Sequence, residues 1–204
     1  MKIIKASLLH ISILVLLVLI SFNSFAQVKV VLEKWDNDTP KVVKIFPGNG
    51  KDTSKYQIIH YYRSGKKLQD ANYVDSHPEG KVCYWYEGDK CQQEAIYKGG
   101  KELQSKTFSE DGIIIETHVA LEGNMDKDTK FYASGLKQSE IIYDSLGLKQ
   151  GKSSFWFQNG KLQKQGFFEH DKEQGLWKFF DEAGNLKDSL IYHKGISDAK
   201  LNNK

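Results

Sequence analysis

Beyond residue 55, apolar and polar positions alternate in short blocks, and each block is stopped by a turn. Aromatic pairs recur, and each is followed by a glycine: Tyr61-Tyr62 then Gly65, Trp85-Tyr86 then Gly88, Phe131-Tyr132 then Gly135. Trp156-Phe157 then Gly160 and Phe179-Phe180 then Gly184 continue the series, with a worn copy at Phe108 and Gly112. These glycines stand 23, 24, 23, 25 and 24 residues apart. A fixed period of this size marks an array of small supersecondary units. Within each unit, a strand ending in aromatics leads through a polar turn into a second strand. That second strand is marked by Tyr73, Tyr97, Leu121, Tyr143, Phe168 or Tyr192. A second glycine-bearing turn closes the unit at Gly80, Gly99-Gly100, Gly123, Gly147, Gly175 or Gly195. Pro78 falls in the first of these closing turns, and Pro40 and Pro47 fall in turns further upstream. Glycine about every dozen residues is hairpin spacing, and aromatic and β-branched residues suit a pleated surface. No stretch of the repeat carries helical periodicity.

The pattern therefore predicts an all-β fold: one elongated, twisted antiparallel sheet of tandem hairpins. About six units span residues 56–196 and supply about 12 strands. Each hairpin buries its rings mainly against the next, because an isolated hairpin is barely stable in water. Residues 27–55 read as a lead-in hairpin, with strands at Val28–Leu32 and Val42–Phe46 around the turn Asp36–Pro40. Residues 197–204 are polar and read as a disordered tail.

The first 26 residues break the pattern. Lys2 and Lys5 precede an apolar run from Leu8 to Ile20, and Ser24-Phe25-Ala26 supplies small residues before a cut. This is the layout of a secretory signal peptide, expected as a helix and cleaved after Ala26. It implies export to the periplasm or the medium, with no stable membrane insertion once it is removed. Removal takes two lysines, leaving 27 basic against 26 acidic residues and a net charge of +1. Arg63 is the one arginine in the chain. Neither fact favours nucleic acid as a partner.

Cys83 and Cys91 flank the turn Glu87–Lys90. With an even loop they fall on opposite faces, and with an odd loop they sit diagonally on one face, about 7–8 Å apart. A disulfide needs Cα atoms about 4.4–6.8 Å apart, so no bond between them is expected. No histidine shares a metal-ligand spacing with another histidine or with a cysteine. Asn124–Asp128 alternates oxygen ligands as a calcium loop does, but Thr129 stands where the loop needs glycine and Gly135 where it needs an acid. No nucleophile elbow or phosphate loop occurs. The chain therefore reads as a non-enzyme with no metal and no cofactor.

Aromatic residues are the remaining candidates for a site. Trp85, Trp156, Phe167 and Trp177 are the binding candidates. Strand alternation places Phe155 and Phe157 on one face and Trp156 and Phe167 on the other. Either the sheet curls over one of these faces or one face is left for a partner.

The segment Gly175-Leu176-Trp177-Lys178-Phe179-Phe180, followed by Asp181 to Leu186, resembles the MORN-repeat family in its bacterial variant. Gly151-Lys152 through Leu162 and Gly80-Lys81 through Tyr86 match it less fully. The resemblance extends over residues 56 to about 195 and is weakest between Phe108 and Gly123. Many chains of this variant are called YwqK-type antitoxin components. The resemblance implies an elongated MORN-like sheet used for binding. The expected partner is another protein, with a glycan as the alternative ligand. The expected role is a binding or scaffold module, with two alternatives: an immunity or antitoxin-like protein that neutralises a toxin, and a cell-wall or glycan-binding module.

Overall fold

The computed structural model describes residues 27–198. The leader with its expected helix and cut, and residues 199–204 of the tail, lie outside the described residues. Every strand pairs antiparallel with its neighbours in sequence, so fifteen strands form one sheet in chain order. The lead-in gives β1 (Gln27–Lys34) and β2 (Pro40–Pro47). Twelve strands follow from Lys55 to His193, as the repeat predicts: β3 (Lys55–Tyr61), β4 (Lys67–Val74), β5 (His77–Trp85), β6 (Cys91–Lys98), β7 (Lys101–Phe108) and β8 (Ile114–Leu121). They continue with β9 (Met125–Phe131), β10 (Lys137–Tyr143), β11 (Gly151–Trp156), β12 (Leu162–Glu169), β13 (Lys172–Phe180) and β14 (Leu186–His193). A short β15 (Ile196–Ser197) ends the sheet. Ser197, which the sequence assigns to the tail, pairs with Tyr192 and is buried. Fourteen steps of about 4.8 Å carry the sheet on the order of 65–70 Å across its strands.

The same turn recurs along one end of the sheet. At Tyr62 the amide N–H donates to the Lys66 carbonyl, and the Gly65 N–H donates back to the Tyr62 carbonyl. Identical pairs of bonds start at Trp35, Tyr86, Ser109, Tyr132, Phe157 and Asp181, and another copy starts at Asp144, at the opposite end, between β10 and β11. The fourth residue of each turn must take a left-handed conformation, which glycine adopts without strain. In the unit beginning at Tyr86 that residue is Asp89 (φ 65°), not Gly88 as the spacing suggests. Aspartate tolerates this region better than most side chains.

At the other end three expected closing-turn residues move. Gly80 and Pro78 lie inside β5, and Gly175 lies inside β13. Both glycines have positive φ beside register shifts, so they open bulges instead of closing turns. The turns themselves are Asp75-Ser76 and His170-Asp171, two residues each and left-handed throughout. Pro40 and Pro47 bound β2, with Pro47 at its exposed end.

Register assigns the side chains to two faces. On the first, Ile58, Ala71, Val82, Ala95, Ser105, His118, Asp128 and Ile141 stand opposite one another strand by strand. Flanking tyrosines cover this row. Tyr56 and Tyr73 stack at 5.2 Å, and Tyr84 and Tyr97 lie beyond them. Ala71, Val82 and Ala95 are almost fully buried beneath these rings. On this tyrosine face the C-terminal strands add a block centred on Trp177. Its indole lies directly on Gly166, where any side chain would overlap it. Phe168 and Tyr192 meet it edge-on at 5.0 and 6.3 Å, and Phe155 lies 6.5 Å away.

The opposite face is charged over its middle. Asp70, Cys83, Glu94 and Lys106 stand in register there. Lys67 pairs with Asp70 at 2.8 Å, Lys81 with Glu94 at 2.6 Å and Lys137 with Glu140 at 2.9 Å.

A further set of bonds ties unit to unit. The hydroxyl of Tyr62 donates to the Trp85 carbonyl at 2.8 Å. Tyr86 donates to Phe108 and Tyr132 to Trp156, each at 2.7 Å. The second aromatic of one unit thus holds the backbone of the next unit at the repeat distance. Ser109 and Phe157 occupy the same place in their units and cannot make this bond.

Candidate binding surface

The four expected binding residues do not share an environment. Trp177 is 1% exposed, so it is a packing residue and offers no ring to a partner. Its Nε1–H donates to the Phe167 carbonyl at 3.1 Å, which satisfies its polar atom inside the block. Trp85 and Trp156 are half-buried on the charged face. The Lys67 ammonium lies 5.7 Å from the Trp85 ring, and Lys137 lies 5.5 Å from the Trp156 ring. Each ring therefore already carries a cation within reach. Phe167 is 53% exposed.

Phe167 is part of a larger patch. Leu176, Ile191 and Ile196 are 49%, 46% and 49% exposed on the three strands that follow. Leu176 stands opposite Ile191, and Ile196 stands opposite His193, two positions along from Ile191. Phe167 pairs with Gln174, two positions from Leu176. All four point away from the tyrosine face, because each is next in sequence to a residue directed into the core: Phe168, Trp177, Tyr192 and Ser197. Exposed Lys152 is the direct partner of Phe167, and exposed Lys178 lies two positions from Leu176. The result is an apolar patch with a basic rim, running across β12 to β15.

Sequence reasoning found Phe167 but missed Leu176, Ile191 and Ile196. The signal was present. Leu176 precedes Trp177 and Ile191 precedes Tyr192, so inward-facing rings oblige both aliphatic neighbours to face out.

A second surface lies on the tyrosine face over β7 to β11. A depression of about 510 Å³ is bordered by Asp128, Lys130, Ser139, Tyr143, Lys149 and Phe155. It continues past His118, whose Nδ1 is 2.8 Å from an Asp128 oxygen and whose Nε2 is 3.7 Å from Asp126. Asp126 and Asp128 lie on β9 and not in a loop. Among the described residues no three histidine, cysteine or acidic side chains are placed to hold a metal ion together. Burial raises the phenol pKa of Tyr84 and Tyr143, and it raises that of Tyr97 far more, aided by its 2.7 Å hydrogen bond to Glu102. These phenols stay protonated near neutral pH.

Cys83 and Cys91 are free thiols. Their strand partners are Glu94 and Trp85, and the strand is bulged between these pairs. Burial pushes both thiol pKa values up, which holds them in the unreactive form.

No curated protein matches the sequence. The family described as "MORN repeat variant" matches residues 149–170 and 173–194. The first stretch contains β11 and β12, and the second contains most of β13 and all of β14. The chain thus carries two MORN-variant hairpins, built around Trp177, at the C-terminal end of a sheet whose other hairpins repeat the same turn and pairing.

Proposed function

We propose that this is an exported, non-enzymatic repeat protein that serves as a scaffold and binds another protein through the apolar patch on β12 to β15. The supporting observation is the run of Phe167, Leu176, Ile191 and Ile196, each about half exposed on four consecutive strands. Solvent-exposed apolar side chains grouped in this way and rimmed by polar groups mark interaction surfaces. The basic rim of Lys152 and Lys178 favours a partner with acidic groups around an apolar contact. Nucleic acid is disfavoured, because the guanidinium of Arg63 is already engaged by Asp36 at 2.9 Å. A glycan reading rests on Trp156 and has weaker support, since Lys137 occupies a position over its ring.

The test is a photo-crosslinking amino acid placed at Phe167, and separately at Glu94 on the same face, in cells expressing the full-length sequence. A discrete protein adduct at residue 167 and none at residue 94 is the expected result. Equal labelling at both positions, or an adduct of glycan only, would overturn the reading. The identity of the adduct decides the narrower role: a toxin would make this an immunity or antitoxin-like protein. The N-terminal mass of the purified protein tests export, with Gln27 expected as its first residue.

A further inference from the structure

The two ends of the sheet differ. At the C-terminal end β15 covers only Tyr192 and His193, and among the described residues no strand pairs with the outer side of β14 from Leu186 to Ile191, where Lys187, Asp188 and Ser189 interrupt the apolar positions. The N-terminal edge is β1, eight residues long and exposed throughout, and among the described residues no strand pairs with its outer side. Val28, Val30, Val31 and Leu32 give it the β-branched, apolar character of a strand that accepts another. Its register with β2 is unbroken from Gln27 to Val31 and shifts at Leu32. With the leader removed after Ala26, as proposed above, the flat, pairable stretch is Gln27–Val31, with Lys29 at its centre.

That placement discriminates between partners. In an antiparallel two-fold pairing that keeps the faces aligned, one residue must stand opposite its own copy. The register that uses the whole flat stretch sets Lys29 against Lys29. Like charges directly opposite are destabilising. Two-fold registers centred on Val28 or Val30 reduce the bulge-free overlap to three residues. A different strand with an acidic residue facing Lys29 meets no such penalty.

We propose that the outer edge of β1 is a strand-accepting site for an extended polypeptide segment that places an acidic side chain opposite Lys29 and apolar side chains opposite Val28 and Val30. Backbone hydrogen bonds supply the pairing, and Lys29 selects the foreign strand over a second copy. This site is separate from the patch on β12 to β15 and stands or falls without it.

The probe is the chain itself with Lys29→Glu. Both forms are expressed from the full-length sequence and purified as the cell leaves them, with the N-terminus read by mass. Wild type alone and Lys29→Glu alone should each sediment as monomers at high micromolar concentration, since each sets like charges together. An equimolar mixture pairs Lys29 with the introduced acid, so its apparent mass should double, and added salt should reverse the doubling. Lys29 is exposed, so circular dichroism should be unchanged, and Lys29→Asp repeats the test with a second acid. A mixture that stays monomeric overturns strand acceptance. A wild type that dimerises through this edge overturns the selective role of Lys29. Association indifferent to residue 29 overturns both.

Discussion

Strands β7 to β9 and strands β11 to β14 share one backbone plan but fill the tyrosine face in opposite ways. In the C-terminal block the row runs through Ser153 and Gly166 to Trp177, with Phe155, Phe168 and Tyr192 around the indole. In the central strands the corresponding positions are Ser105, His118 and Asp128, and the neighbours are Glu102, Glu116 and Asp126. The turns at both places make the same two hydrogen bonds. Turn chemistry and strand pairing therefore propagate the repeat through a region that has almost no hydrophobic core. The MORN-variant match, at residues 149–170 and 173–194, falls on the aromatic block. A single-layer sheet tolerates this mixture because each hairpin relies chiefly on its immediate neighbours.

The largest expected contrast comes from removing the centre of each region. Trp177→Ala leaves a cavity between three aromatic neighbours and should cost about 3–5 kcal/mol in urea unfolding. His118→Ala removes a partly exposed contact to Asp128 and should cost about 1 kcal/mol or less. Equal costs would mean that the polar centre is as strongly packed as the aromatic block. Gly166→Ala comes next. Its added methyl would overlap the indole, so Trp177 must shift, at an expected cost of about 1–3 kcal/mol. Near-ultraviolet circular dichroism of the tryptophans should change in Gly166→Ala and remain native in His118→Ala.

Alkaline pH probes the two flanks of the polar centre, Tyr84 and Tyr97 on β5 and β6 and Tyr143 on β10. Burial raises the phenol pKa values of Tyr84, Tyr97 and Tyr143 above the ordinary 10.0. The folded state thus holds these protons more tightly than the unfolded chain. The stability this provides is complete below about pH 10 and is lost as pH climbs through the raised values. Urea midpoints should be flat from neutral pH to about 9 and fall beyond it, first through the raised thiols of Cys83 and Cys91 and then through the phenols. Tyr97→Phe, which has no phenol to ionise, should reduce the fall. A midpoint that drops below pH 9 would place the loss elsewhere.

The architecture was legible in the sequence for a physical reason. Left-handed turn positions accept few residue types, so Gly65, Gly112, Gly135, Gly160 and Gly184 announce themselves at a constant period. The same reasoning misplaced Gly88, because Asp89 can take the strained position beside it. It also read Gly80 and Gly175 as turns, because a bulge makes the same demand on a backbone as a turn does. Site residues were harder to read. Alternation sorts side chains into two faces, but it does not reveal which face of a single-layer sheet is covered. Trp177 was chosen for its size, and that size is what fills the space above Gly166. The exposed residues Leu176 and Ile191 were overlooked because they lack rings.

The smallest effect concerns the hydrogen bonds between units, and it separates backbone repetition from ring packing most directly. Tyr132→Phe deletes one hydroxyl and leaves the ring, so the Trp156 carbonyl loses its 2.7 Å donor. The site is partly buried, so the expected cost is about 1 kcal/mol. At Ser109 the repeat position lacks the phenol that Tyr86 and Tyr132 supply at theirs, and its own short hydroxyl accepts from the Ile113 N–H instead. Ser109→Tyr should carry a hydroxyl toward the Phe131 carbonyl and stabilise the central strands by about 0.5–1 kcal/mol. Amide hydrogen exchange would show where each effect falls: slower exchange confined to β7 to β10 in Ser109→Tyr, and faster exchange confined to β9 to β12 in Tyr132→Phe. If Ser109→Tyr destabilises the chain, the central strands have a geometry of their own, and the polar row is a departure from the repeat and not merely a different filling of it.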